Sequence, residues 1–192
     1  CGAWRPGLFG WATSLRRLFG GRSDPFTLIG FACGTLYVLA LLLQPEAILQ
    51  PAGILSMLSP GSRALLQLGM TGGFAMERGW WWTLLTAMYL HGGLLHIIFN
   101  VMWIRNLGPA VAEVYGPARA FLLFNFAGAG GFLVSNLMTG VPTIGASGSI
   151  FGLLAALIVY GRRRGSSVVT QQLWQWAIIL GVFGFVMPGI NN

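Results

Sequence analysis

Charge is what this chain has least of. Only 8% of its 192 residues are charged, and just four of them are acidic. Soluble domains carry roughly 25% charged residues, so a soluble globular fold is excluded. Lysine is missing altogether, since all eleven basic residues are arginine; that uniformity points to a GC-rich coding sequence more than to a mechanism. Cysteine is reduced to Cys1 and Cys33, which excludes a disulfide framework and a cysteine-based zinc site. Histidine is reduced to His91 and His96. No His-Glu-x-x-His is present, and a spacing of five on a helix turns the two rings in different directions, a poor start for a metal site. Internal repeats, low-complexity tracts and charged residues lining a pathway are also lacking, which argues against a small transporter or channel.

What fills the chain is apolar: 55% hydrophobic residues, 29 glycines and a mean hydropathy of +0.72. Four blocks carry no formal charge, Pro25–Pro45, Gly79–Ile104, Ala120–Gly161 and Gly165–Asn192. A membrane span needs ~20 residues, and the third block holds two. The expected fold is therefore an all-α membrane protein of five helices with no soluble second domain. Arg5, Arg16, Arg17 and Arg22 precede the first span, so the N-terminus is expected in the cytoplasm. Alternating spans then place Arg105, Arg119, Arg162, Arg163 and Arg164 inside as well, leaving Arg63 and Arg78 outside. The net charge of +7 reads as membrane orientation. Arginines scattered over helix ends form no patch for nucleic acid. The expected location is a bacterial inner (cell) membrane.

Residues 1–24 form a basic, Trp- and Phe-containing lead for the inner interface, and residues 25–192 the transmembrane unit. The absence of an initial Met marks a fragment, with Cys1 as a lipid-bearing mature terminus the alternative. Cys33 is a packing residue. The predicted spans are Phe26–Leu43, Gly93 towards Glu113, Ala120–Met138, Ser147–Gly161 and Val169–Met187. Arg105 and Pro109 obscure the end of the second. Gly128, Gly130 and Gly131 permit close backbone approach in the third, and Thr139-Gly140-Val141-Pro142-Thr143 breaks the chain before the fourth. Residues 44–79 are too apolar for a solvated loop, so they are expected to dip into the interface or pack on the bundle. Trp80, Trp81 and Trp82 read as an interfacial aromatic belt.

Three polar residues stand inside these apolar stretches, and intramembrane polar groups are costly enough to be read first as functional. Ser147 lies in Gly145-Ala146-Ser147-Gly148 at a predicted helix start. The rise from Ser147 to Arg162 is about 22 Å against a hydrocarbon core of about 30 Å, so Ser147 sits below the membrane surface in an expected water-filled cavity. Free N–H groups of a helix start favour a developing oxyanion there. A helix cap and a Gly148-x-x-x-Gly152 packing seam are the plainer readings. His96 and Asn100 lie one turn apart on one face, and both can donate hydrogen bonds. A polar clamp between helices would use them equally well.

Together, His91-Gly-Gly-Leu-Leu-His96-Ile-Ile-Phe-Asn100 and Gly145-Ala-Ser147-Gly148-Ser-Ile-Phe-Gly152 resemble the rhomboid family of intramembrane serine proteases, over about Gly79 to Asn192. The resemblance implies a six-helix bundle, of which five core helices are present, and a Ser–His dyad. It makes Ser147 the nucleophile, His96 and Asn100 oxyanion-hole donors, and His91 a residue just outside the core of the site. Gly145 and Ala146 frame the substrate backbone. The base histidine is implied on a sixth helix beyond Asn192, so this stretch alone is expected to be inactive. The implied substrates are transmembrane proteins in the lipid bilayer, and neither a metal nor an organic cofactor is needed. A non-proteolytic relative that binds or guides membrane clients is the alternative. Where the family often has Trp-Arg in its first loop, Trp82 is followed by Thr83, leaving a loop-anchoring role there open.

Overall fold

Asp24 opens the first long helix: its carboxylate accepts the N–H groups of Phe26 and Thr27, each at 3.1 Å, and Pro25 takes the first helical position, where a missing N–H costs nothing. In the computed structural model, which describes residues 24–46, 58–165 and 167–186, the helices are α1 (Pro25–Leu43), α2 (Ser62–Gln67), α3 (Gly73–Glu77), α4 (Thr83–Thr86), α5 (Leu94–Tyr115), α6 (Pro117–Met138), α7 (Ser147–Arg163) and α8 (Ser167–Val186). A 3₁₀ turn, Ala87–Tyr89, follows α4. Among the described residues there is no strand, only an isolated bridge between Thr71 and Thr143.

The five long helices match the five expected spans. α5 runs straight through Arg105 and Pro109 to Tyr115, so the longer of the two possible ends is the real one. α1, α5 and α6 are long and apolar enough to cross a membrane, with mean hydropathy of 2.2, 1.2 and 1.5. α7 has only 17 residues. The chain is an integral membrane protein, and its surface agrees. Phe126, Leu137 and Met138 stand 72%, 75% and 79% exposed, whereas Thr71, Thr83, His91, Asn100 and Asn136 are buried. Apolar side chains outside and polar ones inside suit a hydrocarbon solvent.

The described part of the segment after α1 packs on the bundle: Ala64 and Leu65 of α2 are buried with Ala40 and Leu90, and the Tyr37 hydroxyl donates to the Leu58 carbonyl at 2.5 Å. Three short helices, α2 to α4, occupy this connection, which hydropathy did not resolve. Trp81 and Trp82 project outward. Residues 1–23, with Cys1 and the basic lead, lie outside the described residues, as do 47–57 and Pro188-Gly189; Cys33 is buried, as expected of a packing residue.

α6 and α7 form the tightest seam. The Gly148 position, given a Cβ, would stand 3.8 Å from the Gly128 Cα and 3.9 Å from the Ala127 carbonyl oxygen, and Gly152 is filled by the Ala127 methyl. Gly131 faces Gly148 as well, whereas Gly130 faces open space, so two of the three expected glycines make the seam. Because lipid is as apolar as a leucine side chain, such close packing is a main source of helix association in a bilayer.

Candidate active site

α7 begins immediately after a sharp loop, and the loop is built by Gly145. Its φ of +116° is reached at little cost only by glycine. A Cβ there would also lie 2.8 Å from both Cε1 and Nε2 of His96. The Gly145 N–H donates to the Ala87 carbonyl at 2.9 Å, fixing the loop to the 3₁₀ turn. Ala146, fully buried, is the N-cap residue and offers no capping side chain. Ser147 is thus the first helical residue and not the cap, which removes the plainer reading of its hydroxyl. Ser147 is half-buried, and its Oγ makes no hydrogen bond among the described residues. The N–H groups of this first turn have no intrahelical acceptor and carry the positive end of the helix dipole. The neighbouring Ser149 is fully buried against Met88 Sδ at 3.8 Å, so of the pair only Ser147 is partly accessible.

His96 stands in the first turn of α5. Its Nδ1 accepts the Gly92 N–H at 3.3 Å, which assigns the proton of the neutral ring to Nε2. That Nε2 is buried and has no partner. Asn100, one turn on and 6% exposed, donates from Nδ2 to the His96 carbonyl at 2.8 Å. Its second Nδ2 proton remains to be offered, and its Oδ1 is buried without a partner.

His91 lies nearer to His96 than a helical spacing of five predicts. Its ring meets His96 edge to face, with centroids 5.1 Å apart, because Gly92 and Gly93 precede the helix and the helical spacing does not apply across them. His91 Nδ1 donates to the Tyr89 carbonyl at 3.2 Å, leaving Nε2 as a buried acceptor without a partner. Among the described residues, no group of three His, Cys, Asp or Glu could hold a metal ion.

Buried side-chain polar atoms without partners are rare in folded proteins, yet three of them, on His91, His96 and Asn100, belong to one motif. A donor Nε2–H pressed against the backbone two residues before an unengaged serine can stabilise negative charge on a carbonyl oxygen placed there. Gly92 and Ala87, which orient His96 and hold Gly145, carry no side-chain signal that sequence reading could have found.

The family profile described as Rhomboid domain matches residues 78–192, which include both motifs. The chain is 33% identical over 142 residues to the rhomboid protease GluP of Bacillus subtilis (strain 168), an alignment covering 70% of this chain and 27% of that protein. It is 32% identical over 112 residues to the chloroplastic RHOMBOID-like protein 9 of Arabidopsis thaliana, covering 57% and 26%, and 34% identical over 112 residues to RHOMBOID-like protein 5 of the same plant, covering 57% and 36%. The matched region therefore spans about a quarter to a third of the length of these relatives. With both polar motifs inside a profile that covers more than half of it, this chain belongs to the rhomboid family.

Proposed function

We propose that the protein is an intramembrane serine endopeptidase that cleaves peptide bonds in or beside the transmembrane segments of other membrane proteins. The observation that carries this reading is the unpaired His96 Nε2–H set against Gly145, two residues ahead of the unengaged Ser147. Ser147 Oγ attacks the scissile carbonyl carbon, forming the C–O bond while the carbonyl π electrons move to oxygen. The oxyanion accepts hydrogen bonds from the Ser147 N–H, His96 Nε2 and the Asn100 amide. Gly145 and Ala146 line the substrate backbone, and His91 supports His96 from outside the reacting group.

A serine needs a base to be a strong nucleophile. His96 is committed to the oxyanion side, and the resemblance to rhomboid proteases implies that the base is a histidine on a sixth helix. It takes the Ser147 proton and returns it to the leaving amine as the C–N bond breaks. Water then hydrolyses the acyl ester by the reverse sequence of proton transfers. The substrate helix has to unwind first, because a peptide bond inside a helix is shielded by its own hydrogen bonds. The N-terminus is cytoplasmic, and the site opens to the outer face of a bacterial inner membrane.

The test is labelling of the full-length protein, in detergent or lipid, by a fluorophosphonate. Labelling that disappears in Ser147→Ala supports an activated nucleophile. A folded full-length protein that does not label would instead be a client-binding relative without protease activity.

A further inference from the structure

Thr71 is where the first loop meets the loop that carries Ser147. Thr71 is fully buried, and its carbonyl accepts the Thr143 N–H at 2.8 Å; just beyond, the Gly73 N–H donates to the Gly140 carbonyl at 2.9 Å. Its side chain is equally engaged. Asn136 Nδ2 lies 2.8 Å from Thr71 Oγ1, Thr83 Oγ1 lies 3.1 Å from it, and Thr83 Oγ1 lies 2.7 Å from the Trp80 carbonyl oxygen.

Counting protons gives this cluster a direction. A hydroxyl has one proton to donate. The Trp80 carbonyl can only accept, so it takes the Thr83 proton. The Thr71 proton then goes to Thr83 Oγ1, and the Thr71 oxygen accepts from Asn136. The result is one ordered chain, Asn136 to Thr71 to Thr83 to Trp80, in which each bond polarises the next.

The loop before Ser147 has two backbone anchors, Thr143 on Thr71 and Gly145 on Ala87. Ala87 directly follows α4, which Thr83 begins. The Thr71–Thr83 bond therefore joins the two anchors into one unit, and Asn136 ties that unit to the end of α6. We propose that Thr71 is a positioning residue: its hydroxyl, held between Asn136 and Thr83, locks both anchors of the 143–146 loop and so fixes Ser147 against His96. The inference rests on Ser147 being the nucleophile, and in this chain Thr83 anchors the first loop through its hydroxyl.

The experiment uses the full-length protein in detergent, comparing Thr71→Val, which removes only the hydroxyl, with Thr71→Ser, which keeps it. Two readouts are taken: amide deuterium exchange across residues 140–150, with α1 as internal reference, and the rate of fluorophosphonate labelling. Loss of one well-placed hydrogen bond corresponds to about a tenfold change. Exchange at Thr143 and Gly145 should rise about tenfold in Thr71→Val with α1 unchanged, labelling should fall about tenfold, and Thr71→Ser should restore both. Wild-type exchange at Thr143 and Gly145 in Thr71→Val overturns the proposal, as does an equal rise in α1 or a Thr71→Ser variant as impaired as Thr71→Val. If the wild type does not label but exchange responds as stated, the nucleophile assignment fails and the anchoring stands. Should Thr71→Val not fold, Thr83→Val breaks the same chain from its far end and should give the same pattern at smaller amplitude.

Discussion

The two ends of the bundle are built by opposite rules. At the Ser147 end, helix after helix turns a polar group inward: His96 and Asn100 early in α5, Asn136 late in α6, Ser147 and Ser149 at the start of α7, Tyr37 late in α1. At the Phe26 end the same helices bury Phe26, Ile29, Leu107, Val111, Ala120, Phe124 and Ile158, and Phe26 and Phe124 meet edge to face at 6.2 Å. Unpartnered buried atoms of His91, His96, Asn100 and Asn136 all fall at the first end. Such atoms are destabilising, so the apolar end has to hold the helices while the polar end stays available for chemistry. On the proposed mechanism, stability and reactivity are thereby separated between the two ends of the bundle.

Substitutions at either end should move different observables. The largest effect is expected for His96→Ala. On the proposed mechanism, removing one preorganised oxyanion donor lowers turnover by about 10²–10³-fold. Thermal stability moves much less, because losing a buried unpaired atom is offset by the Gly92 N–H losing its acceptor and by the lost contact with the His91 ring. Cleavage of a transmembrane model substrate alongside thermal unfolding checks both. Phe26→Ala should do the reverse. Its ring is fully buried, and a cavity there costs roughly 3 kcal/mol, the low end of the range for such truncations, because the unfolded helix still lies in lipid and loses packing more than transfer energy. Cleavage per folded molecule should stay near wild type; a parallel loss of both would refute the separation.

Much of this was legible beforehand because a bilayer leaves few choices. Uncharged blocks delimit helices, and a serine, a histidine and an asparagine inside them stand out against the apolar background. α5 and α7 begin within a residue of where the hydropathy and glycine pattern put them. What escaped was non-local or non-helical. Asn136 and Thr71 are 65 residues apart in sequence, and no periodicity pairs them. The contact of His91 with His96 depends on the extended backbone at Gly93, where helical spacing has no meaning. The short helices α2 to α4 are each under two turns, too brief for a hydropathy window.

A smaller effect sharpens the comparison at the polar end. In Gly145→Ala, the φ of +116° imposes about 1–2 kcal/mol of strain on any L side chain, and the new methyl meets the His96 ring. The ring must tilt to admit it. Labelling of Ser147 is expected to slow by about 10–100-fold, with strain and donor misplacement acting together. A phosphonate labelling time course measures this directly, and a wild-type rate would mean that His96 does not need its present position.

The smallest effect probes a hydrogen bond between helices at the apolar end. Tyr115, at the close of α5, donates its hydroxyl to the Ala156 carbonyl of α7 at 2.9 Å. That carbonyl already has its own helical partner four residues on, so Tyr115→Phe leaves no acceptor stranded. The loss should therefore be near the average for interhelical hydrogen bonds in membranes, about 0.6 kcal/mol, with cleavage per folded molecule unchanged. Unfolding in a denaturing detergent, with cleavage measured in parallel, reads both quantities. A much larger loss, or a change in cleavage, would mean that the polar bond at this end transmits to Ser147. The two ends would then be mechanically one, and the apolar half could no longer be treated as a passive foundation for the site.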